Sequence, residues 1–280
     1  MNSQKEHWEV QFESELISVL KSSGQSLPNY TRAGALNGSA EVSWKVLGTG
    51  PSQKNREPGT KIQSSNLAHT VVKAKLDNYE KVEPINLLDE FKSSGNFRRG
   101  YAEDIISTFM SDADTAILEA GLAATTVQTG SGYAKIDKAL LAELKSLASK
   151  NNWKGRTGDW VLVITPEVED PLLQISEVLS RDENPNDFAF VNGKVTRIYN
   201  FDIVVSNELF DLQTNTDATQ VDCLAWMKPA MGYMVGSAPA VRVDFNPETI
   251  AHQVTGTFSC CAGGILGNGI IKVRVDSDAV

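Results

Sequence analysis

The chain has 280 residues, 41% of them hydrophobic and 22% charged, with a net charge of −9, three cysteines and three histidines. That length holds one large domain or two intertwined ones, and the acidic balance excludes the basic footprint of a sequence-specific nucleic-acid binder. Cys223, Cys260 and Cys261 are too few and too bunched for a disulfide framework, the start MNSQKEHWEVQF lacks the apolar core of a signal peptide, and no run reaches the ~18 apolar residues of a membrane span. A soluble, acidic protein made in the cytoplasm is expected.

Lys5 to Lys21 reads as an amphipathic helix. Trp8, Phe12, Leu16, Val19 and Leu20 share one face, glutamates occupy the rest, and Gly24 ends it. A lone terminal helix cannot bury that face, so it must dock on its own domain or on a neighbouring subunit. Gln25 to Ala40 is rich in Ser, Gly, Asn and Pro and reads as an extended linker. Strand-like runs at 41–47 and 69–82 bound the polar stretch GTGPSQKNREPGTKIQSSN, which predicts a long hairpin projecting from the body. Such a hairpin is marginal in water and needs a partner surface.

Residues 84–96 form a short connector. Asn96 to Thr126 then reads as one long helix: Ile105, Phe109, Ala113, Ala116 and Ala120 recur at helical spacing, with Ile106, Met110 and Ile117 widening the stripe. From Arg99 to Ala124 it would reach ~39 Å at ~1.5 Å per residue. Its alanine-rich second half lets another element approach closely. A second helix is expected over 134–150, a buried strand over 159–166, and a third helix over 167–180. Strands over 188–191 and 194–205 flank the Asn192-Gly193 turn, and 222–235 reads as a strand broken at Lys228-Pro229. The closing runs 240–246, 249–266 and 269–275 alternate as antiparallel strands do.

Catalytic constellations are poor. His7, His69 and His252 lie far apart without zinc-ligand spacing, Cys260-Cys261 reads as buried small side chains, and GGILGNG (263–269) lacks the ending of a phosphate cradle. Asp104, Asp112 and Asp114 read as a solvated or salt-bridged helix face. No catalytic, cofactor or metal residue is assigned, and an enzyme is not expected.

The order of elements (docking arm, linker, polar hairpin, long helix, α/β insertion, returning strands) resembles the major capsid protein of tailed bacteriophages, the Hong Kong 97-like fold. Hairpin 41–82, spine-like 97–126, VLVITPEVEDPLLQ (161–174) and the closing VRVDFNPETIAHQVTGTFSCCAGGILGNGIIKVRV carry it. The resemblance implies an α+β fold divided into an N-terminal arm (1–40), an extended loop (41–83), a peripheral domain with a spine helix (84–132), an α/β axial domain (133–236) and strands returning to the peripheral domain (237–280). It implies a shell subunit of a virion, self-assembling into hexamers and pentamers around double-stranded DNA bound without sequence specificity. Partners implied are a separate scaffolding protein, a portal and a decoration protein, with no membrane. Trp8, Phe12, Leu16, Lys45, Lys54, Arg56, Glu57, Arg98 and Arg99 are the inter-subunit contact candidates. The cross-linking found in some members is not carried over, because no spacing singles out a pair among Lys45, Lys54, Lys61 and Asn268. An encapsulin-type compartment shell and an unrelated α/β enzyme are the alternatives.

Overall fold

A computed structural model describes residues 27–37, 40–48, 67–86, 97–125, 127–129, 135–153, 159–173, 190–191, 194–195, 197–212, 220–247 and 251–276. After a 3-10 turn at Leu27–Tyr30 come β1 (Arg32–Ala33), β2 (Ala35–Asn37), β3 (Glu41–Leu47), β4 (His69–Lys75) and β5 (Asp77–Asn86). Helix α1 (Phe97–Ala124), β6 (Val127–Thr129), α2 (Lys138–Lys150), β7 (Trp160–Ile164) and α3 (Pro166–Leu173) follow. The short strands β8 (Phe190–Val191), β9 (Lys194–Val195) and β10 (Arg197–Ile198) precede β11 (Phe201–Val205) and α4 (Asn207–Asp211). The chain closes with β12 (Gln220–Met227), β13 (Met231–Asn246), β14 (Ala251–Gly264) and β15 (Ile270–Asp276).

Three sheets matter here. A six-stranded sheet runs β10-β11-β7-β12-β15-β6, a four-stranded sheet β1-β13-β14-β5, and a three-stranded sheet β2-β3-β4. In the six-stranded sheet, Leu162, Ile164, Phe201, Cys223, Ala225 and Val273 pack on Leu140, Leu141, Leu144 and Ala148 of α2. The opposite face, with Val161, Val163, Leu224, Trp226 and Ile270, packs with Ile117 and Leu118 of α1. Both faces are covered, so the run WVLVI is buried throughout.

Helix α1 joins the two larger sheets. Its first half lies over the four-stranded sheet, where Phe109 meets the Phe258 ring at 5.7 Å between centroids. Further along, a Cβ placed on Gly121 would lie 2.9 Å from Cε of Met231 and 3.2 Å from Leu224, and Gly264 backs directly onto Ala124. The elements that approach its alanine-rich half are therefore strands of the same chain. Ile105, Phe109, Ile117 and Leu118 are fully buried on this helix, each stabilising by about 1.5–3 kcal/mol.

The long helix, α2, β7 and the break between β12 and β13 agree with the expected elements. Four features differ. The expected strand 69–82 is two strands: β4 pairs with β3, whereas β5 pairs with β14 after the chain switches sheets at Leu76. The extended-loop boundary at 83 therefore falls inside a strand of the body. The closing strands also part company, because β14 lies against β5 while β15 pairs with β12 in the six-stranded sheet. Residues 237–276 are thus divided between the four-stranded and the six-stranded sheets. Between β10 and β11, Tyr199 and Asn200 take positive φ (48° and 76°), the two-residue hairpin geometry that matches strand twist. The short helix α4 is capped by Ser206, whose hydroxyl accepts from Leu209 N at 3.4 Å. The third helix is described only over α3; residues 174–180 lie outside the described residues.

Candidate assembly surfaces

The hairpin has a fixed root. Alternate residues of β3, Val42 and Trp44, point to the body and form a small core with Cys261 and Ile265. Trp44 is 1% exposed and donates its indole N–H to the Arg32 carbonyl at 3.3 Å. Its ring lies on the backbone of Gly232, where a Cβ would come within 2.5 Å of Trp44 Cε2. The base closes with Gly48 N–H donating to the Ala68 carbonyl at 2.8 Å. Lys45 stands on the outward face of this sheet and is exposed. Lys73, on the same face, pairs with Glu41 at 3.2 Å, and both are open to water, so that pair adds little to stability. Lys54, Arg56 and Glu57 lie outside the described residues.

The N-terminal segment is rooted as firmly. Leu27 is fully buried in the core shared by α1 and the two larger sheets. Trp226 donates its indole N–H to the Tyr30 carbonyl at 3.0 Å. The Tyr30 hydroxyl donates to Oδ2 of the buried Asp202 at 3.1 Å, and Arg197 Nε binds Oδ1 at 2.5 Å. Burial, then the Asp202 charge, pushes the Tyr30 phenol above its ordinary value, so it stays a donor at neutral pH. Leu27–Tyr30 is therefore a fixed point of the chain. The expected linker is in part a strand-forming anchor, since β1 pairs in parallel with β13. Trp8, Phe12 and Leu16 lie outside the described residues.

Along α1 the carboxylates divide into three environments. Asp104 accepts from Lys81 Nζ at 2.6 Å, and Lys81 also reaches Thr108 Oγ1 at 3.2 Å, tying the helix to β5. Asp114 is 4% exposed, which corrects the solvated part of its expected setting: it is buried near Tyr233 of β13. Asp112 and Glu119 lie near Tyr79 of β5, whose phenol is raised first by burial and then by Cys260, Asp77, Asp112 and Glu119. Ser111 donates to Glu208 Oε1 at 3.0 Å and fastens α4 to the helix. Arg98 and Arg99 fall in the first turn of α1, with side chains outside the described residues.

Among the described residues, nothing covers the far part of β13 beyond α1. Val243 and Phe245 are 41% and 52% exposed on the helix side of the sheet, and Phe245 meets the half-buried His252 ring at 5.7 Å between centroids. All three cysteines are buried, as was expected of Cys260 and Cys261. Burial lifts Cys223 to about 12 and Cys260 and Cys261 to about 11, so none is a nucleophilic thiolate at neutral pH. Among the described residues no cluster of acids, His and Cys could hold a metal ion, and no helix is long and apolar enough to cross a membrane.

A family profile described as "Phage capsid protein" matches residues 5–277. The fold is shared with the capsid structure of the cyanophage P-SCSP1u (TM-score 0.73, 15% identity, 94% of this chain and 91% of that one). It is shared with a structure from Mycobacterium phage Che8 (0.68, 17%, 93% and 97%). The capsid of Helicobacter pylori bacteriophage KHP30 is similar too (0.68, 10%, 95% and 94%). No curated protein sequence matches.

Proposed function

Because the chain belongs to the phage capsid protein family, we propose that it closes the head shell as hexamers and pentamers, holding its neighbours through the arm, the hairpin and the first turn of α1. It is the major capsid protein, a structural component of the virion that forms the head shell by self-association, with the Hong Kong 97-like fold. The observation that carries the finer reading is the pair of anchored roots at Leu27 and Gly48–Ala68. Roots fixed this firmly in the body suit heterologous contacts, in which each copy lands on the next.

The arm (1–40), the hairpin, a peripheral part built on α1 and β13–β14, and an axial part built on the six-stranded sheet are the divisions this reading uses. The protein acts without catalysis, in partnership with a separate scaffolding protein, a portal and a decoration protein. It is made in the host cytoplasm. It encloses double-stranded DNA without reading it, and an acidic wall grips the packaged polyanion weakly. The matches favour this reading over an encapsulin-type shell and over an unrelated enzyme.

Negative-stain electron microscopy and sedimentation of the expressed protein test it. Closed shells or five- and six-fold capsomers are expected, and a clean monomer at high concentration would overturn the reading.

A further inference from the structure

Strand β13 has an unused edge. On one side it pairs with β14 from Met231 to Asn246, and on the other β1 meets it only at Gly232 and Tyr233. Among the described residues no strand lies along 234–246 on that second side. A row of unpaired backbone N–H and C=O groups is a template for another strand. Its first part is blunted, because the register shifts at Val235/Ser237 and Ser237/Ala240, and Pro239, without an N–H, stands between. From Ala240 the pairing with β14 runs in unbroken register to Asn246. The regular part of the edge is therefore AVRVDFN.

That segment is complementary to itself. Turned antiparallel about Val243, it sets Arg242 opposite Asp244 of a second copy, Val241 opposite Phe245, and Val243 opposite Val243. Val241 lies across from Gly256, whose Cα faces Ile105 and Phe109 of α1, so Val241, Val243 and Phe245 share the helix side. Arg242 and Asp244 stand exposed on the reverse face. Directly opposed unlike charges stabilise a strand pair, and like charges oppose it. Recentring the pair on Arg242 or on Asp244 brings like charges together, so the charge order selects one register. In that register Val243 and Phe245 of both copies join in one apolar stripe, which removes from water what each copy leaves open.

We propose that residues 240–246 of β13 pair antiparallel with the same residues of a second copy about a two-fold axis, joining two four-stranded sheets into one, with Arg242 and Asp244 fixing the register. The inference rests on the capsid reading and assigns a joint between rings. The pairing is isologous, whereas the contacts around a five- or six-fold ring are heterologous. A free backbone edge, an uncovered apolar strip and the alternation of Arg and Asp are accounted for together. Backbone hydrogen bonds and the apolar stripe supply cohesion, and the charges reject other partners.

A cross-link in the full chain tests the register. Val243→Cys puts a thiol opposite its own copy, where opposed Cα atoms are ~4.5–5.5 Å apart and within disulfide reach. Oxidation of the assembled protein with diamide should give a covalent dimer on a non-reducing gel, since the native cysteines are buried. Ala240→Cys, which faces residue 246 of the copy, should give none. Charge reversal is the second readout. Arg242→Asp places a carboxylate opposite Asp244 at both pairs and should lower the assembled fraction by about tenfold at fixed subunit concentration. Asp244→Arg should do the same, and the chain carrying both changes should recover, because the pairs re-form with their ends exchanged. Both positions are exposed, so the subunit itself should stay folded. No Val243→Cys dimer, an equally abundant Ala240→Cys dimer, or a folded double variant no better than the single ones would each overturn the pairing. A strand donated by a different protein would show as that third result, since the swap restores only a copy. The capsid reading would survive all three, because it falls only if the wild-type chain itself never multimerises.

Discussion

The six-stranded and four-stranded sheets use similar residues, yet the chain finishes one and leaves the other open. Strand β7 is buried from end to end between α2 and α1, with Trp160, Phe201 and Trp153 packed ring against ring. Strand β13 starts equally buried at Met231–Tyr233 and is exposed from Val235 through Ala240. Helix α1 crosses β14 and β5 but leaves the outer half of β13 uncovered, so Val243 and Phe245 face water. Among the described residues, the six-stranded sheet is covered on both faces along β7, whereas the outer half of β13 leaves apolar side chains exposed that add little to the subunit's own stability.

The strongest way to break the comparison is in the closed region. Phe201→Ala removes a fully buried ring and should cost about 3–5 kcal/mol in a denaturant melt, with shell formation failing only because the subunit does. Next is Asp222, 4% exposed, which is bound by Arg274 Nε at 2.7 Å and by Lys272 Nζ at 2.5 Å. Asp222→Ala leaves two half-buried cations facing each other. A loss of about 2–3 kcal/mol is expected, below the fully buried case because both cations reach water.

Gly232→Ala acts at the seam between the regions. The new methyl meets Trp44 and should cost about 1–3 kcal/mol by overpacking. Hydrogen exchange should speed up in β3 and leave β7 protected; equal loss in both would show one cooperative unit. The cysteines give an independent readout, since Cys223 lies in the closed sheet and Cys260 and Cys261 in the open one. Their raised values, about 12 and about 11, keep all three thiols protonated at pH 8, and reactivity grows only as pH approaches those values. A thiol reagent at pH 8 should therefore label the chain only through opening, the open sheet first. Fast labelling of native protein would contradict the burial. The smallest effect belongs to Phe245→Ser, which should move the dissociated subunit by no more than about 0.5 kcal/mol. A weakened shell from that change would identify the strip as a contact.

The elements with strong local signals were legible without coordinates. The stripe Ile105, Phe109, Ala113 and Ile117 marked α1, the apolar run at 160–164 marked a strand buried on both faces, and Pro229 marked the break before β13. The anchors were not. Tyr30–Asp202 and Trp226–Tyr30 span 172 and 196 residues, and such pairs leave no trace in local periodicity. That Lys45, Lys73 and Lys75 share one face of the hairpin followed only from the strand register. Asp114 misled for the opposite reason: helical position alone does not say which neighbour covers it.

By itself the sequence determined the long helix, the second helix and the buried strand, the acidic balance, the polar stretch between two strand-like runs and the order of parts that resembles a capsid subunit. These depend on neighbours a few residues apart, whose spacing and charge are written in the chain. Only the tertiary structure decided that 69–86 divides between two sheets at Leu76 and that β15 returns to the six-stranded sheet. It also decided that the hairpin's two faces look in opposite directions, one onto Gly232 and one outward. A two-residue alternation states that a strand has two faces. Which partner each face meets is set by packing between residues far apart in sequence.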